Sequence, residues 1–175
     1  MINIPSTIND TYKDFLEITD YDCDYKIISY NSNRVNNLSE IEIKQMRGMI
    51  YTHDDKFIHS TSYTDEYTEK DDLSLLNIDY INCKFTMAEE GTVIRLFFNE
   101  SKKEWMISTQ RKLNAFESTW GDIDKVSFGE YFCKALDYHS MTCLDLVNQL
   151  DINRVYIYFL RTCKNTKIVC TEPID

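Results

Sequence analysis

Between Cys83 and Phe98 the chain runs through two β-branched and aromatic stretches that meet at an acidic pair and a glycine, Glu89-Glu90-Gly91. After a polar turn, Asn99 to Lys103, comes a further strand-like run, Trp105-Met106-Ile107-Ser108-Thr109. Arg95 alternates with Val93 and Phe97 on one face of this stretch, the period-two pattern of a β-strand. Gly91 is one of only four glycines in the chain. In strand-like sequence a glycine marks a bulge, or a place where a ligand or a neighbouring strand closely approaches the backbone. Of the two approaches, composition favours the neighbouring strand.

A chain of 175 residues is most simply one domain, able to bury about two thirds of its unfolded surface. Its hydrophobic content of 43% and aromatic content of 13% are those of a folded globular protein. No apolar run reaches the ~18 residues needed to span a bilayer, and the first residues lack a basic-then-apolar signal pattern. The expectation is therefore an intracellular, cytoplasmic protein, not secreted and with no membrane partner. Cys23, Cys83, Cys133, Cys143, Cys163 and Cys170 are scattered, with no C-x-x-C pair and no histidine at zinc-ligand spacing. They read as buried reduced thiols, and no metal site is expected.

The formal charge of −10 argues against broad, sequence-independent nucleic-acid binding, which needs lysine and arginine to neutralise phosphates. A local basic site stays open. Lys102, Lys103, Arg111 and Lys112 flank the central hairpin, and Arg161, Lys164 and Lys167 crowd the end, while acid gathers at Asp65-Glu66 and Glu69 to Asp72.

Taken in order, residues 9–17 carry Tyr12, Phe15 and Leu16 at helical spacing and predict a short amphipathic helix. Tyr25 to Tyr30 predicts a strand, Ser39 to Met46 a helical turn, and Arg47 to Tyr51 a second strand. His53-Asp54-Asp55 turns into Lys56 to Ser60 as a hairpin, and Ser62 to Asp72 reads as loop. Ser127-Phe-Gly-Glu130 and Thr142-Cys-Leu-Asp145 are capping boxes, opening helices over Tyr131 to Tyr138 and Leu146 to Leu150. Val155 to Leu160 and Lys167 to Cys170 read as a last strand pair around Arg161 to Thr166. Strands, then helices, then strands favour an α+β fold of twisted antiparallel sheets with a few short helices over a doubly wound parallel sheet.

Three segments in order carry a family resemblance: Tyr25-Lys-Ile-Ile-Ser-Tyr-Asn31, Gln45-Met-Arg-Gly-Met-Ile-Tyr51 and Glu89-Glu-Gly-Thr-Val-Ile94. They resemble the front half of the phage-type ATP-dependent RNA ligases, members of the nucleotidyltransferase superfamily shared with DNA ligases and mRNA capping enzymes. Tyr158-Phe-Leu160 through Asn165-Thr-Lys-Ile-Val169 is similar to that family's later strand pair. The likeness covers about Tyr25 to Cys170, through short motifs whose order and spacing carry it. It implies a sheet-rich ATP pocket in which a lysine of a K-x-D/E-G motif attacks the α-phosphate. The AMP then passes to an RNA 5′-phosphate, and a 3′-hydroxyl displaces it to seal the break. A lysine whose pKa is depressed suits the first step, and a metal such as Mg with basic side chains offsets the phosphate charge.

The sequence departs from the motif at its decisive place. Aligning Glu90-Gly91 with the acid and glycine puts Ala88 where the lysine belongs, and alanine has no nucleophile. Lys84 lies four residues upstream, ~13 Å along a strand at ~3.3 Å per residue, about twice what its side chain spans. The place of a later family glutamate falls on Phe159, and the chain stops at Asp175, ahead of the family's E-G and K-x-K motifs. The single domain, residues 1–175, is thus expected to be incomplete at its C-terminal end. By resemblance Arg47, Glu90, Gly91 and Arg95 are the nucleotide-binding candidates. Arg111 and Lys112 are the RNA-phosphate candidates, and Lys84 is the nucleophile only if the chain is active. Glu90-Gly91-Thr92-Val93-Ile94-Arg95 also looks like the superfamily's later E-G-x-V motif; the upstream Arg47-Gly48 favours the first assignment.

Each candidate has a plainer reading. Arg47 is equally a surface charge at a strand start, Glu90 a solvated acid, and Arg95 a side chain snorkelling from a core edge. Ser108 to Lys112 is equally a solvated strand exit. His53, His59 and His139 have no paired carboxylate at suggestive spacing, which speaks against catalysis. Phe116 and Trp120 read as core rather than as a base-stacking platform. Three functions follow. One is a degenerate, viral-type ligase-like module of RNA repair that keeps nucleotide or RNA-end binding or serves a partner protein. Another is an active ATP- and Mg-dependent RNA ligase with a displaced lysine. The third is a structural protein with no ligand.

Overall fold

The computed structural model describes residues 3–34, 43, 45–60, 81, 86–119, 125–161 and 168–173, and for 86–90 and 168–173 the backbone alone. The loop expected over Ser62 to Asp72, Lys84, Trp120 and most of the turn at Ser39 to Met46 lie outside the described residues.

A one-turn helix, α1 (Asp10–Lys13), starts at Asn9, whose side chain accepts from the Thr11 amide at 3.0 Å. The helix expected to residue 17 ends early, because Leu16 already opens β1 (Leu16–Tyr21). A single turn has too few internal hydrogen bonds to propagate, whereas β1 gains a full antiparallel partner in β2 (Tyr25–Tyr30). β3 (Met49–Thr52) and β4 (Phe57–His59) complete a four-stranded sheet in the order β1-β2-β3-β4. The expected β3–β4 hairpin is present, with Asp55 at φ 66° in its turn.

The two runs that meet at Gly91 are β5 (Thr86–Glu90) and β6 (Thr92–Asn99). They part company there. β6 pairs with β7 (Glu104–Thr109) on one side and β8 (Tyr156–Leu160) on the other, while β5 pairs with β9 (Ile168–Pro173). A Cβ built on Gly91 would stand 2.8 Å from the Leu160 carbonyl oxygen. The close approach is therefore by a neighbouring strand, and it is backbone that approaches. β8 and β9, expected to pair with each other, instead find β6 and β5.

Alternation along β6 sorts the core into layers. Ile94 and Leu96 pack with Phe128, Phe132 and Leu146 of two helices, α2 (Phe128–Tyr138) and α3 (Cys143–Val147). Phe97, on the opposite face, meets Tyr25, Ile27 and Ile50 of the four-stranded sheet, its ring edge-on to Tyr25 at 5.2 Å. Behind that sheet, Ile28, Met49 and Tyr51 pack with Ile8 and Leu16. The fold is α+β, and every strand pair among the described residues is antiparallel.

Both capping boxes form. Ser127 Oγ accepts from the Glu130 amide at 3.2 Å while the Glu130 carboxylate accepts from the Ser127 amide at 2.7 Å. Thr142 and Asp145 do the same at 3.1 and 2.9 Å. The helices begin directly behind their caps, at Phe128 and Cys143, a turn ahead of the expected starts, because the first turn is what the cap satisfies. Phe116, expected in the core, is 47% exposed. It lies beside Gly129, where an added Cβ would meet its ring at 2.6 Å. No helix among the described residues is long and apolar enough to cross a membrane.

Candidate functional site

Arg95 follows the alternation of β6 into the layer between the two larger sheets and is wholly buried. Its Nη1 donates to the Gly48 carbonyl and its Nη2 to the Thr109 carbonyl. Among the described residues its Nε has no partner. Burial pushes the guanidinium down to about 9, which leaves it charged at neutral pH. Strand alternation allowed two settings for this residue, a pocket wall or a core edge. The structure makes it a clamp between two chain segments.

What the clamp holds are the segments that carry other candidates. Gly48 sits at φ 60° with its amide donating to Ser29 Oγ at 2.9 Å, a left-handed conformation that glycine adopts without penalty. It presents the Arg47 side chain just ahead of β3. Thr109 ends β7 in a tight turn: its amide donates to the Lys112 carbonyl at 2.8 Å, and its Oγ1 accepts from the Arg111 and Lys112 amides at 3.3 and 3.0 Å. The turn leaves Arg111 exposed. The Arg47 guanidinium is lowered from its ordinary value chiefly by burial, with the like charge of Arg111 adding to this and Tyr30 opposing it.

Lys112 is committed elsewhere, to Asp20 Oδ1 at 3.2 Å, and the other oxygen of Asp20 accepts from the Leu113 amide at 2.8 Å. His59, opposite Ile50 in the β3–β4 ladder, has a buried Nε2 with no partner among the described residues. Burial, and then the charge of Arg95, pushes its imidazole down to about 4, so it stays neutral at pH 7. No local sequence signal marks His59, because its charged neighbour is the cation of Arg95, far away in sequence.

Arg95 thus brings the Arg47 and Arg111 segments into one corner, while Lys112 turns away to Asp20. Gly91 stands four residues back along β6 from Arg95, ~13 Å by strand rise. Glu90 and Ala88 lie on β5, opposite Ile168 and Thr171. The corner is cationic, and guanidinium groups grip anionic oxygens in pairs.

Two other features have the opposite polarity. Asp22, Cys23 and Asp24 bring ligand atoms within 4.8 Å of one another, but the Lys102 ammonium already stands 3.5 Å from Asp22 and 3.2 Å from Asp24. Hydrogen bonds from Asn99 and then Ser101 hold the Asp24 carboxyl down at about 2. A cleft of about 410 Å³ beside β7 is lined by Asp20, Asp22, Glu104 and Glu117 with Trp105 and Phe116. Its carboxylates outnumber its one lining ammonium, Lys102, so a phosphate is better placed at the arginine corner.

Fold and site define an antiparallel α+β chain with a cationic corner among the described residues. It is similar to the immediate-early protein ICP-46 homolog of Invertebrate iridescent virus 3, 33% identical over 141 residues that cover 75% of this chain and 31% of the relative. It is also similar to the immediate-early protein ICP-46 homolog of Invertebrate iridescent virus 6, 30% identical over 146 residues, 74% of this chain and 31% of the relative. The chain thus spans about a third of the length of these curated relatives. No family model and no solved structure matches it.

Proposed function

We propose that this chain is an RNA-ligase-like module that binds the phosphate of a nucleotide or an RNA 5′-end and lacks a lysine nucleophile of its own. The observation that carries this reading is the Arg95 clamp, which fastens the Arg47 and Arg111 segments side by side. The clamp joins two segments that each carry a guanidinium, Arg47 on one and an exposed Arg111 on the other. A terminal phosphate carries two negative charges and three acceptor oxygens, and guanidinium forks match them. The order of the three ligase-like segments adds the chemical class. Ala88 at the place of the motif lysine assigns the chain a binding or accessory role, with ATP and Mg chemistry supplied by an active partner.

Thermal shift with ATP, GTP and one short RNA bearing either a 5′-phosphate or a 5′-hydroxyl tests the reading. The 5′-phosphorylated RNA or a nucleotide is expected to raise Tm, the 5′-hydroxyl RNA to leave it unchanged, and Arg111→Ala to abolish the shift. No shift with any of them assigns the chain to the structural class. Covalent retention of label from ATP with a divalent cation, lost in Lys84→Ala, establishes the active ligase instead.

A further inference from the structure

We propose that Cys133 and Cys143 form a reversible disulfide that fastens α2 to α3. Cys133 lies on the second turn of α2 and Cys143 is the first residue of α3. Their sulfurs stand 3.1 Å apart, both partly buried and both reduced. A disulfide needs about 2.05 Å between the sulfurs, so closure moves them by about 1 Å, within reach of small side-chain rotations. The backbone around them is already fixed. The Met141 amide donates to the Leu136 carbonyl at 3.0 Å across the turn, where Ser140 takes φ 56°. The Thr142–Asp145 capping box sets the start of α3. The two thiols therefore meet through the fold and do not depend on a rare excursion.

The co-reactant is a small-molecule disulfide such as oxidised glutathione. The Cys143 thiolate attacks one of its sulfurs, forming a mixed disulfide and releasing one glutathione thiolate. Cys133 then gives its proton to solvent and attacks the Cys143 sulfur, expelling the second glutathione. Two protein thiols are oxidised and one disulfide is reduced to two thiols. Cys133 attacks second because burial, and next its hydrogen bond with Cys143, push its thiol up to about 12, and only the thiolate attacks.

Incubation of the full chain in reduced and oxidised glutathione buffers, acid quenching, alkylation and non-reducing peptide mass spectrometry test this. The expected product is a Cys133–Cys143 peptide pair lighter by two hydrogens and lost on treatment with dithiothreitol. Cys133→Ser is expected to stall as a glutathione adduct on Cys143. Cys143→Ser is expected to modify Cys133 at least tenfold more slowly than that. Absence of the linked pair in wild type at full oxidation overturns the proposal, whatever the variants do. Equal adduct rates at the two positions overturn the order of attack.

Discussion

Taking a guanidinium out of water is costly, and Arg95 offsets that cost with charge-assisted bonds to the Gly48 and Thr109 carbonyls. Replacing it with methionine removes a buried cation, a gain, but leaves two carbonyls without donors at about 1–3 kcal/mol each. The loss is the larger effect, because the two bonds are charge-assisted. Arg95→Met is expected to lower unfolding free energy by about 2 kcal/mol in a urea titration, whereas Arg111→Ala, on the surface, stays within about 0.5 kcal/mol. His59 makes stability depend on pH. Unfolded, it titrates near its ordinary 6.5; folded, near 4, so between those values the unfolded chain binds more protons. Its contribution is whole above pH 6.5 and lost as pH falls toward 4. Urea titrations at pH 7 and pH 5 check this, and His59→Phe is expected to remove that part of the decline. For Arg95, strand alternation makes its face legible, shared with Val93 and Phe97. Its acceptors are not legible, since Gly48 and Thr109 lie 47 and 14 residues away and nothing local links them.

At the scale of elements, the helices are the most legible, because a capping box is a local device whose four residues contain the whole interaction. Ser127→Ala is expected to cost about 1 kcal/mol, read as a lower urea midpoint at unchanged slope. β1 is hidden because Glu17, Thr19 and Asp20 dilute its apolar alternation, and β2 across the sheet decides it. β8 and β9 mislead for a different reason. Runs adjacent in sequence usually neighbour each other in space, yet here each completes a sheet begun earlier by β6 and β5. Gly91 is legible as a point of backbone approach, since a strand gains nothing from a missing side chain except room for a close neighbour. Gly91→Ala drives a methyl against the Leu160 carbonyl oxygen at 2.8 Å, backbone that cannot swing aside. The expected loss is about 1–3 kcal/mol by thermal or urea unfolding.

Across the whole molecule, charge and site oppose each other. The chain carries −10, so a nucleic acid would be repelled at long range, and on the proposed reading the arginine corner has to overcome that repulsion. Salt weakens the grip and the repulsion together. If two phosphates are engaged, the slope of log affinity against log salt for 5′-phosphorylated RNA is expected to be no steeper than about −1.4; fluorescence anisotropy from low to high salt checks it. The same two sheets are joined twice along β6. At one point Arg95 reaches Gly48; at the other, Asn99 Nδ2 donates to Asp24 Oδ2 at 3.0 Å. The two fastenings are four residues, ~13 Å, apart, with the Phe97 ring wedged between them. One rivet would be a pivot, but two forbid shear. A slide of the sheets by one residue would have to open both at once.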